Sequence, residues 1–344
     1  MNSSHEAYWR LAAKHVIMQR MKSILLLALL WTGAAAATPA DPAEVSLVFV
    51  GDIMVAEIPG ELIEKGIDPF KPFESFLDAQ DLRIGNLECV ISTTGKAEVK
   101  PFTFRADPRT IPVLARHFDG LSLANNHSGD FGKEAFAEQL VLLRKAGLPY
   151  FGGGDNAAEA HKPWIVERNG LRIALLGYVE YKPRSFEASA TRPGVAWSGE
   201  DDQVISDIIA ARQEYGADLV IPYMHWGWED EPQPSERLRE FSKRMLDAGA
   251  DMVVGSHPHV TQGAEYYKGK LIVYSLGNFL FNSFDTPATT TGWVLRVRMN
   301  KAGMIDWQTR VARLDADGVP HPDLKASSPC GKAGVPTISQ CTGE

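Results

Sequence analysis

Five apolar runs in this chain each end in side chains able to hold a metal ion. They are Leu47-Val48-Phe49-Val50-Gly51-Asp52, Leu82-Arg83-Ile84-Gly85-Asn86-Leu87-Glu88, Leu121-Ser122-Leu123-Ala124-Asn125-Asn126-His127, Leu219-Val220-Ile221-Pro222-Tyr223-Met224-His225 and Met252-Val253-Val254-Gly255-Ser256-His257-Pro258-His259. An open α/β sheet binds its ligands outside the carboxyl ends of its strands, so such ends can converge on one cleft. The cleft would then hold the carboxylates of Asp52 and Glu88, the amide of Asn126 and the imidazoles of His225, His257 and His259. Mixed oxygen and nitrogen donors of this kind suit divalent transition metals such as Mn, Fe or Zn. His257-Pro258-His259 is the sharpest piece, because its spacing puts two imidazoles on one loop that Pro258 restricts. With Asn126 aimed at a metal, its neighbour His127 is left to face a substrate as candidate proton donor.

The elements that must carry these side chains alternate between strand and helix. Strands are expected at 45–50, 82–84, 121–124, 171–178, 219–223, 252–254 and 271–274, and a hairpin at 292–314 turning at 301–303. A short helix through residue 77 and another over 108–117 separate the first of them. The helix expected at 133–146 carries Phe136, Leu140 and Leu143 at helical spacing and ends on Gly147. The one at 202–215 carries Val204, Ile205, Ile208 and Ile209, and the one capped by Ser235 carries Leu238, Phe241 and Met245. The stretches 214–225 and 247–257 echo each other: helix end, Gly, Asp, apolar strand, then His. No linker interrupts residues 41–314, which read as one domain, and 315–344 reads as a loop-rich tail.

Composition is that of a globular enzyme-sized chain: 344 residues, 44% hydrophobic and 23% charged. The net charge is −8 with Lys and Arg dispersed, which offers no nucleic-acid surface. A polyanion would have to be held by a local basic patch or by metal. Residues 1–40 read as a secretory signal with a possible upstream mis-start. Arg20 and Lys22 precede an apolar run from Ile24 to Trp31 and a small-residue cleavage region ending near Ala40. The run is shorter than a membrane span requires, so the expectation is an exported, periplasmic or extracellular protein with no stable span. In an oxidising compartment Cys330 and Cys341 are expected to form a disulfide, and Cys89 to be a small core residue. Gly152-Gly153-Gly154-Asp155 lacks the Lys-Ser/Thr ending of a phosphate loop and reads as a turn.

The motifs Gly51-Asp52-Ile53-Met54, Asn86-Leu87-Glu88, Leu123-Ala124-Asn125-Asn126-His127, His225-Trp226-Gly227, the 249–259 segment and Tyr274-Ser275-Leu276-Gly277-Asn278-Phe279 together resemble the CapA family. These are capsule or poly-γ-glutamate synthesis proteins related to the calcineurin-like metallophosphoesterases. The resemblance runs from Val45 to Phe281. It implies an α/β fold, a four-layer α/β/β/α metallophosphoesterase-like sandwich, with a dinuclear centre of two divalent metal ions. It implies metal contacts for Asp52, Glu88, Asn126, His225, His257 and His259, and proton donation by His127. Met54 departs from the pattern, since phosphoesterases usually carry a ligating His two residues after the first Asp.

Two further residues bear on substrate. Arg105 has the planar guanidinium suited to a substrate carboxylate or phosphate. Asn278, just past a strand end, either orients a ligating His or binds substrate. Of Trp226 and Trp228, one lines the cleft or both pack in the core. Two functions fit. The first is an exported metal-dependent hydrolase acting on a phosphoester or on amides of a γ-glutamyl polymer. The second is a non-catalytic component that binds or anchors an anionic polymer, in company with other capsule-synthesis proteins.

Overall fold

In the computed structural model, which describes residues 43–180 and 184–343, the expected alternation becomes two sheets laid face to face. The first sheet runs Ser339–Cys341, Ser328–Lys332, Gly303–Leu314, Thr291–Asn300, Glu44–Ile53, Leu82–Leu87, Gly120–Ser122, Tyr150–Phe151. Asn278–Leu280 also pairs with Glu44–Ile53, and Pro320–Asp323 with Gly303–Leu314. The second sheet runs Thr261–Tyr267, Lys270–Leu276, Met252–Ser256, Leu219–His225, Leu171–Val179, Trp164–Arg168. Glu44–Ile53, Leu82–Leu87 and Gly120–Ser122 are mutually parallel, as are Leu171–Val179, Leu219–His225 and Met252–Ser256. Each set therefore presents its carboxyl ends along one edge.

Alternation of side chains along the strands makes three apolar layers. Val45, Leu47, Phe49, Ile84, Ile173, Leu175, Ile221 and Val254 meet between the sheets. Val48, Val50 and Leu121 pack outward against Leu114, Phe136 and Leu140 of the helices Ile111–His117 and Gly132–Ala146. On the far side Leu176, Val220 and Val253 meet Ile208 of Asp201–Gln213 and Leu238, Phe241 and Met245 of Glu236–Asp247. The result is a four-layer α/β/β/α sandwich. Residues Ala43–Glu344 form one compact unit.

Local chemistry sets each strand at its entry. Asp81 accepts the backbone N–H of Ser46 at 2.8 Å, Asp119 that of Arg83 at 2.9 Å, Asp218 that of Arg172 at 3.1 Å, and Asp251 that of Val220 at 2.7 Å. The two echoing segments thus use their Asp in one way: it pins the start of the neighbouring parallel strand. At the other end Tyr223 crosses the sandwich and donates its hydroxyl to the Val50 carbonyl at 2.7 Å, two residues short of both Asp52 and His225.

Some elements differ from expectation. The segment 315–344 is not simply loop-rich: Pro320–Asp323, Ser328–Lys332 and Ser339–Cys341 add to the first sheet. Backbone pairing with Gly303–Leu314 and the Cys330–Cys341 disulfide, with Cα atoms 5.9 Å apart, hold them there without an apolar repeat. The helix Glu57–Glu64 and the edge strands Trp164–Arg168 and Thr261–Tyr267 were not foreseen, because their mixed exposure leaves no clean periodicity. The expected signal over residues 1–40 lies outside the described residues, among which no helix is long and apolar enough to cross a membrane.

Candidate metal centre

Strand ends from both sheets close on one cluster. Asp52 lies at the end of Glu44–Ile53, fully buried, and Glu88 follows Leu82–Leu87 directly. His225 ends Leu219–His225, and His257 follows Met252–Ser256. Lys270–Leu276 leaves the second sheet through Gly277 and re-enters the first as Asn278–Leu280, in register with Asp52. That crossing passes so close that a Cβ on Gly51 would sit 1.8 Å from the Gly277 carbonyl oxygen.

The distances bring the six predicted ligands together. The Glu88 Oε1 lies 3.5 Å from His225 Nε2 and 3.8 Å from His259 Nε2. Asp52 Oδ2 lies 3.6 Å from His259 Nδ1, and the Asn126 Oδ1 is 2.7 Å from His225 Nε2. The rings of His225 and His257 are 4.5 Å apart. His257 and His259 both hold positive φ, 99° and 56°, a conformation that costs non-glycine residues energy and here presents two imidazoles from three consecutive positions. The backbone N–H of His257 donates to Asp52 Oδ2 at 3.2 Å, which ties this loop to the first strand.

A frame of amides orients the cluster. Asn86 donates to Asp52 Oδ1 at 2.8 Å, and Asn125 donates to Asn86 Oδ1 at 3.0 Å and to the Leu87 carbonyl at 2.7 Å. The Asn278 amide nitrogen donates to the Thr289 carbonyl at 2.9 Å, so its oxygen faces His259 Nδ1 at 2.8 Å. That contact puts the proton on Nδ1 and frees Nε2 as a donor lone pair. Of the two roles open to Asn278, the buried geometry gives it the orienting one rather than direct substrate binding. His127 sits beside the cluster, its Nδ1 2.8 Å from Asp130 Oδ2 and its ring 4.5 Å from that of Phe104. Asp130 also accepts the Phe104 N–H at 2.6 Å and pairs with Lys100.

The electrostatics call for a cation. Neither Glu88 oxygen has a hydrogen-bond partner although the side chain is fully buried, and burial followed by the Asp52 charge pushes its pKa well above the usual carboxylate value. Burial first, then the neighbouring imidazoles, holds His225 and His257 well below the usual histidine value. An isolated buried carboxylate is costly, whereas neutral imidazoles and carboxylates around a divalent ion are mutually satisfied. The donor set thus fits metal, and three overlapping groups can hold it: Glu88–His225–His257, Asp52–Glu88–His259 and Glu229–His257–His259.

Arg105 is not brought to the cluster. Its short strand Arg105–Ala106 pairs with Val90–Ile91, which buries Ala106 and turns Arg105 outward, 4.4 Å over the Phe131 ring. Trp226 is core, stacked on Tyr274 and donating to its carbonyl, whereas Trp228 is 74% exposed. Met54 is buried, its sulfur taking the Ala56 N–H at 3.2 Å. Glu229, Asp130, Asn86 and Asn125 escaped selection as site residues from sequence. The His127-x-x-Asp130 spacing within one turn was the available signal for Asp130; nothing local marks Glu229 beyond its nearness to His225.

Three comparisons accord with this geometry. The sequence model for "Bacterial capsule synthesis protein PGA_cap" matches residues 46–283. The "PGA biosynthesis protein CapA" of Bacillus subtilis (strain 168) is 34% identical over 269 residues, covering 75% of this chain and 70% of that protein. The "Capsule biosynthesis protein CapA" of Bacillus anthracis is 32% identical over 273 residues, covering 76% of this chain and 66% of that protein. The crystal structure of a hypothetical protein from Thermus thermophilus shares the fold, with a TM-score of 0.50 at 16% identity over 77% of this chain and 98% of its own.

Proposed function

Since the chain belongs to the family of bacterial capsule synthesis proteins matched by PGA_cap, we propose that it is an exported metal-dependent hydrolase that cuts γ-glutamyl amides during capsule polymer processing. The observation that carries this reading is Glu88: a buried carboxylate without a hydrogen-bond partner, faced by His225 and His259 and flanked by the His127–Asp130 pair. Asp52, Glu88, Asn126, His225, His257 and His259 would hold two divalent ions, with Glu229 a further donor. Bound there, the ions supply Lewis-acid polarisation of the scissile carbonyl and acidify a water.

The chain's own groups do the rest. Asp130 accepts from His127 Nδ1–H and so fixes the tautomer, leaving Nε2 as the exchanging position. Burial, opposed by Asp130, keeps His127 below its usual pKa and therefore neutral near pH 7. It takes a proton released as water attacks the carbonyl and delivers it to the departing amine nitrogen. Water and amide become carboxylic acid and amine, with no other reactant. Asn86, itself held by Asn125, holds Asp52, and Asn278 holds His259, so the donors are pre-set.

The test is turnover of a γ-linked glutamate oligomer by purified protein, followed by release of free amine, with and without chelator. Chelator-sensitive release supports the hydrolase. Met54, standing where phosphoesterases usually carry a ligating His, favours a second reading in which metal only holds carboxylates. That reading predicts chelator-sensitive binding of the oligomer with no amine released. Export is supported by the signal-like pattern ending near Ala40, and N-terminal sequencing of protein recovered outside the cytoplasm tests it.

A further inference from the structure

Beside Asn126 opens a cavity of about 420 Å³, within the range of small-ligand sites, whose walls include Lys100, Lys133, Arg184, Phe186 and Trp197. The three cations share the cleft with two carboxylates, Glu98 and Glu187, which leaves it net positive on a chain of net charge −8. They are not equivalent. Arg184 is engaged by the carboxylates of Glu187 and Glu200, at 2.6 and 2.7 Å, and lies 4.0 Å over the Trp197 ring. Lys100 pairs with buried Asp130 and donates to the Asn126 carbonyl at 3.0 Å, which joins the cleft to the His127–Asp130 pair.

Lys133 differs from both. Its Nζ donates to the carbonyl oxygens of Pro193 at 2.7 Å and Glu187 at 3.1 Å, and lies 4.8 Å over the Phe186 ring. Among the described residues no carboxylate stands within ion-pair distance of it. Burial, then the charge of Arg192, holds its pKa below the usual lysine value, with the charge of Glu187 opposing. The wall it belongs to is fixed. Phe186 meets Phe136 edge-on at 5.3 Å and lies on Gly129, where a Cβ would come within 2.4 Å of the ring.

A second cavity, of about 470 Å³, has the other balance of charge. It is lined by Trp228, Glu180, Glu231 and Arg237, with Arg237 already paired to Glu180 and Asp201. An anionic chain is therefore favoured at the Lys133 cleft over this second cavity.

We propose that the Lys100–Lys133 cleft is the carboxylate subsite of this protein, seating a free α-carboxylate of the γ-linked anionic polymer next to the bond presented at the metal-ligand cluster. This rests on the γ-glutamyl reading above. The carboxylate takes a place between the Lys133 ammonium and the Asn126 turn, with the Phe186 and Trp197 rings flanking the methylenes. Lys133 is a binding residue and takes no part in proton transfer.

The experiment measures binding of a γ-linked penta-glutamate to the metal-loaded protein by calorimetry, for wild type, Lys133→Gln, Lys133→Arg and Lys133→Glu. The Gln variant should bind about tenfold more weakly, equal to about 1.4 kcal/mol. The Glu variant should lose more, and Arg should restore affinity to within about threefold. Metal content should stay at the wild-type level. Wild-type affinity should fall as salt rises, since the contact is a partly exposed charge pair, and this arm stands even if a variant fails to fold. Unchanged affinity in Lys133→Gln, or a flat salt profile, overturns the proposal. Lys133-dependent binding without amine release retains the subsite and removes the hydrolase. Amine release with wild-type KM in Lys133→Gln retains the hydrolase and removes the subsite. If inorganic phosphate binds in a Lys133-dependent way and the oligomer does not bind at all, the glutamyl subsite and the γ-glutamyl reading fall together.

Discussion

Glu88 and His127 sit in one cluster with different duties, and substitution separates them. Glu88→Gln keeps the side chain's shape and removes the charge that offsets divalent ions. We expect metal content by elemental analysis to drop by at least half, and wild-type stoichiometry would contradict its ligand role. His127→Ala should retain metal and lose about 10²–10⁴-fold in kcat on any amide the protein turns over. Loss of metal in that variant would make His127 a ligand instead. Protonation gives a third expectation, for chelator-treated protein. His127, His225 and His257 are held below their usual pKa, while Glu88 is held above its own. Between about pH 4.3 and 6.5 the unfolded chain has taken up the imidazole protons and released the carboxyl one. It then binds more protons than the native state, so stability rises with pH across that window; above it the raised Glu88 alone contributes, and stability falls with pH until that carboxyl ionises. Each net proton contributes about 1.4 kcal/mol per pH unit. Calorimetric Tm at pH 5, 6, 7 and 8 checks this, and a Tm that falls from 5 to 7 refutes it.

At the scale of elements, the site depends on how closely two strands cross. Gly51→Ala would drive a methyl group into the Gly277 carbonyl, and neither backbone can give way without moving Asp52 or Asn278. We expect a loss of about 3 kcal/mol in chemical denaturation together with reduced metal retention. A variant of wild-type stability and metal content would show the crossing to be tolerant. The same scale explains what could be read from the chain alone. Parallel strands buried on both faces are continuous apolar runs, and their carboxyl ends are where ligands collect. The gathering of Asp52, Glu88, Asn126, His225, His257 and His259 in one cluster was therefore legible, as was the sandwich with the aid of the family motifs. Glu229 was not, because its approach to His257 and His259 follows from a loop conformation. The outward turn of Arg105 was not legible, because residue type says nothing of which way a two-residue strand will turn it. Asn86 and Asn125 matter through the hydrogen bonds they make, which no spacing displays.

For the molecule as a whole, charge and redox state matter beyond the centre. A chain of net charge −8 can hold a polyanion only where positive charge is gathered, and Lys100, Lys133 and Arg184 lie together in one cleft. At the far end of the first sheet the outermost strand is Ser339–Cys341, held against Ser328–Lys332 by the Cys330–Cys341 bond. Cys89 cannot substitute in that bond, since burial pushes its thiol up to about 12. Closing so short a loop contributes about 2–3 kcal/mol in the chain-entropy view, yet its larger effect concerns neighbouring molecules. An uncovered strand offers its free N–H and C=O groups as a template for another chain. Once the bond is reduced, the three-residue cover can peel away and Ser328–Lys332 becomes such a template. Reduced protein, or Cys330→Ser with Cys341→Ser, should then keep its metal but grow into larger species at high concentration. Light scattering that stays at the monomer level through reduction would show that the bond guards nothing; growth would make this small bridge the protein's safeguard against clumping.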